Sequence, residues 1–312
     1  MRVCIFGAGA IGGFLAHGLS RVDGVEVSVV ARGPHLAAML DKGIGLTRDG
    51  ETTYSPISRG SDNPAELGEQ DVVINCLKAH QAWQTAEDMV PLLGKDTVVV
   101  TCQNGVPWWY FHKIGGEYEG KRLDAVDRDD RQWNAIGPQR AIGASVYPAT
   151  EITAPGVIKH VYGDKFALGE PDGSSSERIT AISQMFEAGG FGAPVLEDIR
   201  SEIWLKLWGN LCFNPISALT RATLDVVATD PGSRHVAKTM MLEAQVIAEK
   251  LGSSFRVDVE RRINGAARVG AHRTSMLQDL EAGKAMEIDA LVTAVQEMGR
   301  IVGVETPMLD AV

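Results

Sequence analysis

Short apolar runs rich in β-branched residues recur through the first half of the chain, at Arg2–Phe6 and at residues 26–31, 72–77 and 97–102. Between them lie stretches with apolar positions at helical spacing, at residues 11–20, 34–41 and 81–92. Strand-helix alternation of this kind predicts right-handed crossovers and a parallel sheet covered on both faces. Residues 44–58 read as a polar hairpin turning at Asp49-Gly50. The pattern breaks over residues 107–139, which open with Trp108-Trp109-Tyr110-Phe111 and continue into a charged, glycine-containing stretch. A structureless insertion of that length is uncommon in a compact domain. Strand signals return at 141–147, 156–162 and 165–168, followed by a helix near 176–188 and a strand near 194–196. Beyond residue 199 the period becomes helical, notably at 202–211, 234–251 and 286–301, and strand signals almost vanish. The expected architecture is a Rossmann-type doubly wound α/β domain over residues 1–198, interrupted at about 107–139, followed by an all-helical domain over 199–312.

Composition narrows the function. The 312 residues carry 45% hydrophobic and 22% charged side chains, an ordinary globular balance that argues against disorder or a fibrous repeat. The net charge of −10 argues against broad binding to nucleic acid or anionic membrane, and no apolar run reaches the roughly 20 residues of a bilayer span. Cys4, Cys76, Cys102 and Cys212 form no CxxC pair and no metal spacing, so buried free thiols in a reducing cytoplasm are expected, with no metal site. The 34 glycines, roughly half again the usual share, point to places where the backbone must come close to something.

One such place is Gly7-Ala8-Gly9-Ala10-Ile11-Gly12, a GxGxxG set between a strand and an apolar helix. Gly7 allows the tight turn, Gly9 lets backbone approach a pyrophosphate, and Gly12 lets helix pack on strand. The phosphates of a dinucleotide would meet the free N–H groups at the helix start. Arg32 stands twenty residues beyond Gly12, where an NAD-binding chain usually carries Asp or Glu. A guanidinium suits a 2′-phosphate, so the expected cofactor is NADPH/NADP⁺.

Further along, Lys206 and Asn210 are four apart in an apolar helical stretch, with Asn214 one turn on, ahead of Pro215. They share a face. A lysine snorkelling beside Glu202 is the plain alternative. Ser275 and Glu287 belong to a second polar cluster, in which Ser275 reads as a helix cap. Lys78 and Asn104 follow strand runs at the edge where open α/β sheets bind ligands, although each suits a turn as well.

Taken together, GAGAIGG at 7–13, CLKAHQ at 76–81, QNG at 103–105, EIWLKLWGNLCFNP at 202–215 and TSMLQDL with MEID at 274–289 resemble the ketopantoate reductase family over nearly the whole chain. The resemblance implies an NADPH-dependent reduction of a 2-oxo acid, ketopantoate foremost, in a cleft between a Rossmann domain and a helical domain. It implies Lys206 as proton donor, Asn210, Asn214 and Ser275 as substrate ligands, and Lys78, Asn104 and Glu287 at the cofactor or between cofactor and substrate. Two departures stand out: the long insertion after Asn104, and Thr223-Leu224-Asp225 where some members carry a substrate-binding Asn. They leave open another 2-oxo acid, a bulkier carbonyl, or a non-catalytic NADPH sensor. The insertion is read as a lid whose Trp108-Trp109-Tyr110 face the substrate tail, or equally as a segment anchored by those aromatics. A homodimer is the candidate assembly.

Overall fold

The computed structural model describes residues 1–312 and divides into two compact units. The first comprises Met1–Gln103, Phe111–Gly120 and Asp129–Ile199; the second comprises Asn104–Tyr110, Lys121–Arg128 and Arg200–Val312. Relative to the expected split after residue 198, two short pieces of the 104–128 stretch go with the helical unit.

The first unit follows the order β1 (Arg2–Phe6), α1 (Ala10–Leu19), β2 (Glu26–Val30), α2 (Gly33–Lys42), β3 (Ile44–Arg48), β4 (Glu51–Ser55), β5 (Arg59–Ser61), β6 (Gln70–Asn75), α3 (Ala79–Ala82) and β7 (Leu93–Thr101). It continues with α4 (Arg131–Ala135), β8 (Ala141–Val146), β9 (Ala149–Ala154), β10 (Val157–Tyr162), β11 (Phe166–Gly169) and α5 (Glu177–Ala188). Seven strands form one sheet in the order β11-β8-β7-β6-β1-β2-β5. All its pairs are parallel except β8 with β11 at one edge. β1 lies in the middle between β6 and β2. It is therefore the point at which connections reverse direction, and the edge beyond its C-terminus is where such sheets bind ligands. Val3 to Phe6 are buried almost completely, as a central parallel strand covered on both faces requires.

A second, four-stranded sheet, β4-β3-β10-β9, contains the Asp49-Gly50 turn, where both residues have positive φ as a type I′ hairpin demands. Helix α1 is buried from Gly12 to Leu19 because sheet residues reach it from more than one side. A Cβ on Gly13 would lie 2.7 Å from Ile158, on the second sheet.

The differences from the sequence reading have physical causes. β5 and β9 carry polar or short sequences and went unpredicted. β5 is three residues long and is recruited only by pairing to β2. The run at 81–92 is not one helix but α3 followed by tight 3-10 turns, with Pro91 inside the last. Residues 194–196 contribute a single bridge, Val195 to Leu168, and no strand. The 107–139 segment is not structureless, for it holds α4 and several 3-10 turns.

The second unit contains α6 (Ile199–Thr220), α7 (Leu224–Thr229), α8 (Pro231–Lys250), α9 (Val259–Ala267), α10 (Ser275–Glu281), α11 (Ala294–Val302) and α12 (Pro307–Ala311), with a π-helical turn at Asp289–Thr293. Helix α6 runs through Pro215, well past the 202–211 stretch of helical period. Its other faces are held by tertiary contacts that outweigh the one backbone hydrogen bond proline removes. Trp204 donates its indole N–H to Tyr110 Oη at 2.7 Å, and Trp208 donates to the Met241 carbonyl at 2.9 Å while stacking on Phe255. No helix is long and apolar enough to cross a membrane.

Candidate active site

Two constellations emerge, one in each unit. In the first unit the chain leaves β1 at Gly7, whose φ of +93° only glycine adopts easily. A Cβ there would meet the Leu77 side chain at 2.6 Å. Gly7 and Ala8 donate their N–H groups to the Val30 carbonyl, which ties the loop to the end of β2. Gly9 is the residue preceding α1, and no acidic side chain occupies that helix's first turn. Its opening N–H groups therefore lack internal acceptors and present a positive end. A Cβ added to Gly9 meets nothing within 4 Å, whereas one on Gly12 would fall 2.2 Å from the Gly7 carbonyl oxygen. The two glycines thus do different work. Gly12 permits helix and loop to touch, and Gly9 keeps a surface open.

That surface belongs to a cavity of about 380 Å³ whose walls include Gly7, Ala8, Gly9, Arg32, His35 and Lys78. Arg32 is exposed and directly precedes α2, two residues past the end of β2; Lys78 directly precedes α3. The cavity offers an open glycine, a helix N-terminus and two cations, and these fit the pyrophosphate and 2′-phosphate of NADPH. Cys76 also lines the cavity. A hydrogen bond with Cys102 and burial push its thiol well above the usual range, so it stays protonated and unreactive at neutral pH.

In the second unit Lys206 is half-buried on α6, and its ammonium donates to Asn104 Oδ1 at 2.6 Å. The same amide donates through Nδ2 to Glu287 Oε2 at 3.5 Å. Both contacts fix the sense of the amide, with oxygen toward the cation and nitrogen toward the carboxylate. Asn104 is delivered by Gly105, whose φ is +88° and whose added Cβ would lie 2.3 Å from the Ala290 carbonyl oxygen. Val106 donates its N–H to that same carbonyl. The Asn-Gly pair is thus no hairpin turn. Its glycine lets this segment press against the π-helical turn that follows Glu287. Glu202, four residues before Lys206, is no exposed surface carboxylate: it is buried and accepts from Arg256 at 2.7 Å.

Two turns along the same face, about 12 Å by helical rise, Asn214 Nδ2 donates to Ser275 Oγ at 3.4 Å. Ser275 is exposed and is the first residue of α10. The cap is Thr274, whose hydroxyl accepts from Leu277 N–H, because the residue before the helix, not the first within it, has the extended conformation that capping needs. Asn210, between Lys206 and Asn214, is half-buried. Trp108, Trp109 and Tyr110 are almost completely buried. Tyr110 bonds Trp204, and the Arg200 guanidinium lies over both the Trp109 and Tyr110 rings. They anchor their segment instead of forming an exposed wall. Sequence reasoning missed His35 and Arg256, whose roles depend on partners distant in the chain.

Residues 3–173 match the family model described as ketopantoate reductase PanE/ApbA, and residues 198–312 match the model of its C-terminal part. A 2-dehydropantoate 2-reductase of Mesorhizobium japonicum is 56% identical over 312 residues, an alignment spanning all of this chain and 95% of the relative. One from Halobacterium salinarum is 26% identical, covering 99% and 95% of the two chains. Among solved structures, a Ralstonia solanacearum protein provisionally named a ketopantoate reductase superposes with a TM-score of 0.93 at 42% identity, over 99% of this chain and 94% of the other.

Proposed function

Since the chain belongs to the ketopantoate reductase family, we propose that it reduces a 2-oxo acid to the 2-hydroxy acid with NADPH, 2-dehydropantoate going to pantoate. The observation that carries this reading is the Lys206–Asn104–Glu287 chain of hydrogen bonds. It aims the Lys206 ammonium through the Asn104 side-chain oxygen. NADPH, when bound, supplies the hydride to the ketone carbon. Lys206 gives its proton to the ketone oxygen as the negative charge develops there, and is recharged from solvent. Asn104 sets the direction of the ammonium, and Glu287 holds the Asn104 amide against flipping.

Glu287 as a carboxylate is unsuited to lie against the substrate's own carboxylate, because like charges at short range repel. Ser275, exposed and steadied by Asn214, offers that group a neutral donor. Asn210 has no hydrogen-bond partner for its amide within the protein, which leaves both ends for the ketone and the tail hydroxyl. On the cofactor side, Gly7 to Gly12 cradle the pyrophosphate, Arg32 meets the 2′-phosphate, and Lys78 adds a second cation to the same cavity.

The test is NADPH oxidation followed by absorbance with the purified protein against a panel of 2-oxo acids that includes 2-dehydropantoate. Turnover that is fastest with 2-dehydropantoate is the expected result. Tight NADPH binding without turnover of any 2-oxo acid would mean a sensor and not a reductase.

A further inference from the structure

His35 makes two hydrogen bonds that join three separate parts of the first unit. Its Nε2 lies 2.9 Å from the Ala8 carbonyl oxygen, and the Gly156 backbone N–H points at its Nδ1, also at 2.9 Å. A backbone N–H can only donate, so Nδ1 is the acceptor and carries no proton. The neutral ring therefore has its hydrogen on Nε2 and donates it to Ala8. The tautomer follows from the partners.

Each partner is in a place that matters to the cavity. Ala8 is the second residue of the fingerprint loop, and its N–H is already given to Val30 at 3.0 Å. With His35 on its carbonyl, both backbone groups of Ala8 are tied down. The Ala8 carbonyl is also the i−4 position for the N–H of Gly12, the acceptor that would extend α1 backward by one residue. His35 occupies it instead, and α1 begins at Ala10. The N–H groups of its first turn are then left for a ligand. Gly156 forms the turn between β9 and β10, with φ +73°, and a Cβ there would sit 2.9 Å from Ala38 Cβ on α2. Its carbonyl accepts from Gly45 on the other side. The turn is held independently of His35, so it is a fixed post for the ring to lean on.

We infer that His35 is a positioning residue for the dinucleotide: its neutral Nε2–H tautomer, oriented by Gly156, clamps the Ala8 carbonyl so that the start of α1 faces the pyrophosphate. The inference rests on the proposed NADPH reading and adds to it a residue that touches the loop instead of the reacting atoms. No motif signals it, because Ala8 and Gly156 are 27 and 121 residues away.

Three substitutions separate the two bonds. His35→Ala removes both. His35→Asn keeps an oxygen where Nδ1 stood, for Gly156, and loses the donor to Ala8. His35→Gln can place an amide N–H where Nε2 stood. The readouts are the NADPH dissociation constant by nucleotide fluorescence, KM for each substrate, kcat and Tm. Loss of the Ala8 bond should raise the NADPH dissociation constant about tenfold in His35→Ala and His35→Asn. His35→Gln should stay within about threefold of the unmodified protein. The KM for the oxo acid at saturating NADPH should hold, and Tm should fall by no more than about 4 °C. An unchanged dissociation constant in His35→Ala, or His35→Gln binding no better than His35→Asn, overturns the clamp. So does a loss of binding that merely follows a large fall in Tm. An unmodified protein that binds no NADPH would instead sink the functional reading on which the clamp depends.

Discussion

Gly9 and Gly12 belong to one motif yet should fail in opposite ways when each is changed to alanine. In Gly12→Ala the new Cβ would lie 2.2 Å from the Gly7 carbonyl oxygen and 2.9 Å from Ile5 Cγ2. A carbon and a carbonyl oxygen rest at about 3.3 Å, so α1 and the loop must separate by about 1 Å. Both obstacles are backbone or a buried strand residue, and neither can swing aside. Overpacking of this kind costs about 1–3 kcal/mol. In a domain of this size that lowers Tm by about 2–12 °C. In Gly9→Ala the Cβ finds nothing within 4 Å and φ is an ordinary −74°, while the ψ of −148° lies about 30° beyond the extended region. The substitution should cost a small backbone adjustment and far less stability than Gly12→Ala. The methyl group would instead occupy the surface assigned to the pyrophosphate. It would displace charge-assisted hydrogen bonds worth about 1.5–3 kcal/mol, or about 10- to 100-fold in NADPH affinity. Thermal melts and NADPH titrations of both variants test the pair. A Gly9→Ala protein with normal NADPH affinity would refute the cradle, and a Gly12→Ala protein with normal Tm would refute the close-packing argument.

Lys206→Ala should lower kcat by about 10²–10⁴, the range of a general acid, while NADPH affinity barely changes; near-normal turnover with a fall in Tm would make Lys206 structural. Arg32→Asp should weaken NADPH binding by about 1.5–3 kcal/mol and leave NADH less affected, and equal Michaelis constants for the two cofactors in the unmodified enzyme would contradict the role given to Arg32. His17 is buried, and its pKa is lowered from 6.5 to about 4 by burial, then by Arg21 and more weakly by Arg48, against a bond to Thr53. Between those two pH values the unfolded chain takes up a proton that the folded chain refuses. Stability should therefore fall as pH drops through that window, by up to about 3 kcal/mol. Urea unfolding near neutrality and near the lower limit should show a smaller loss in His17→Gln than in the unmodified protein, and parallel losses would exclude His17 as the cause.

What the sequence determined by itself is whatever depends on near neighbours in the chain. The apolar run Arg2–Phe6 had to be a strand, and a strand followed at once by Gly7-Ala8-Gly9-Ala10-Ile11-Gly12 had to turn tightly into a helix. The four-residue spacing of Lys206, Asn210 and Asn214 placed them on one face of a helix whatever the rest of the chain did. What the tertiary structure decided is which distant groups these elements meet. Asn104 reads as a turn residue until Gly105 is seen pressed on the Ala290 carbonyl, which carries the amide to Lys206 and Glu287 across gaps of 102 and 183 residues. Trp108-Trp109-Tyr110 looked equally suited to a substrate wall or to an anchor. Only the burial of the rings and the bond from Trp204 to Tyr110 make them an anchor. Helix α6 passes through Pro215 because Trp204 and Trp208 are fastened to other parts of the unit. Local rules that stop helices at proline carry no knowledge of those fastenings. Periodicity reports which face of an element is apolar, whereas a hydrogen bond between residues a hundred positions apart exists only once the whole unit has packed.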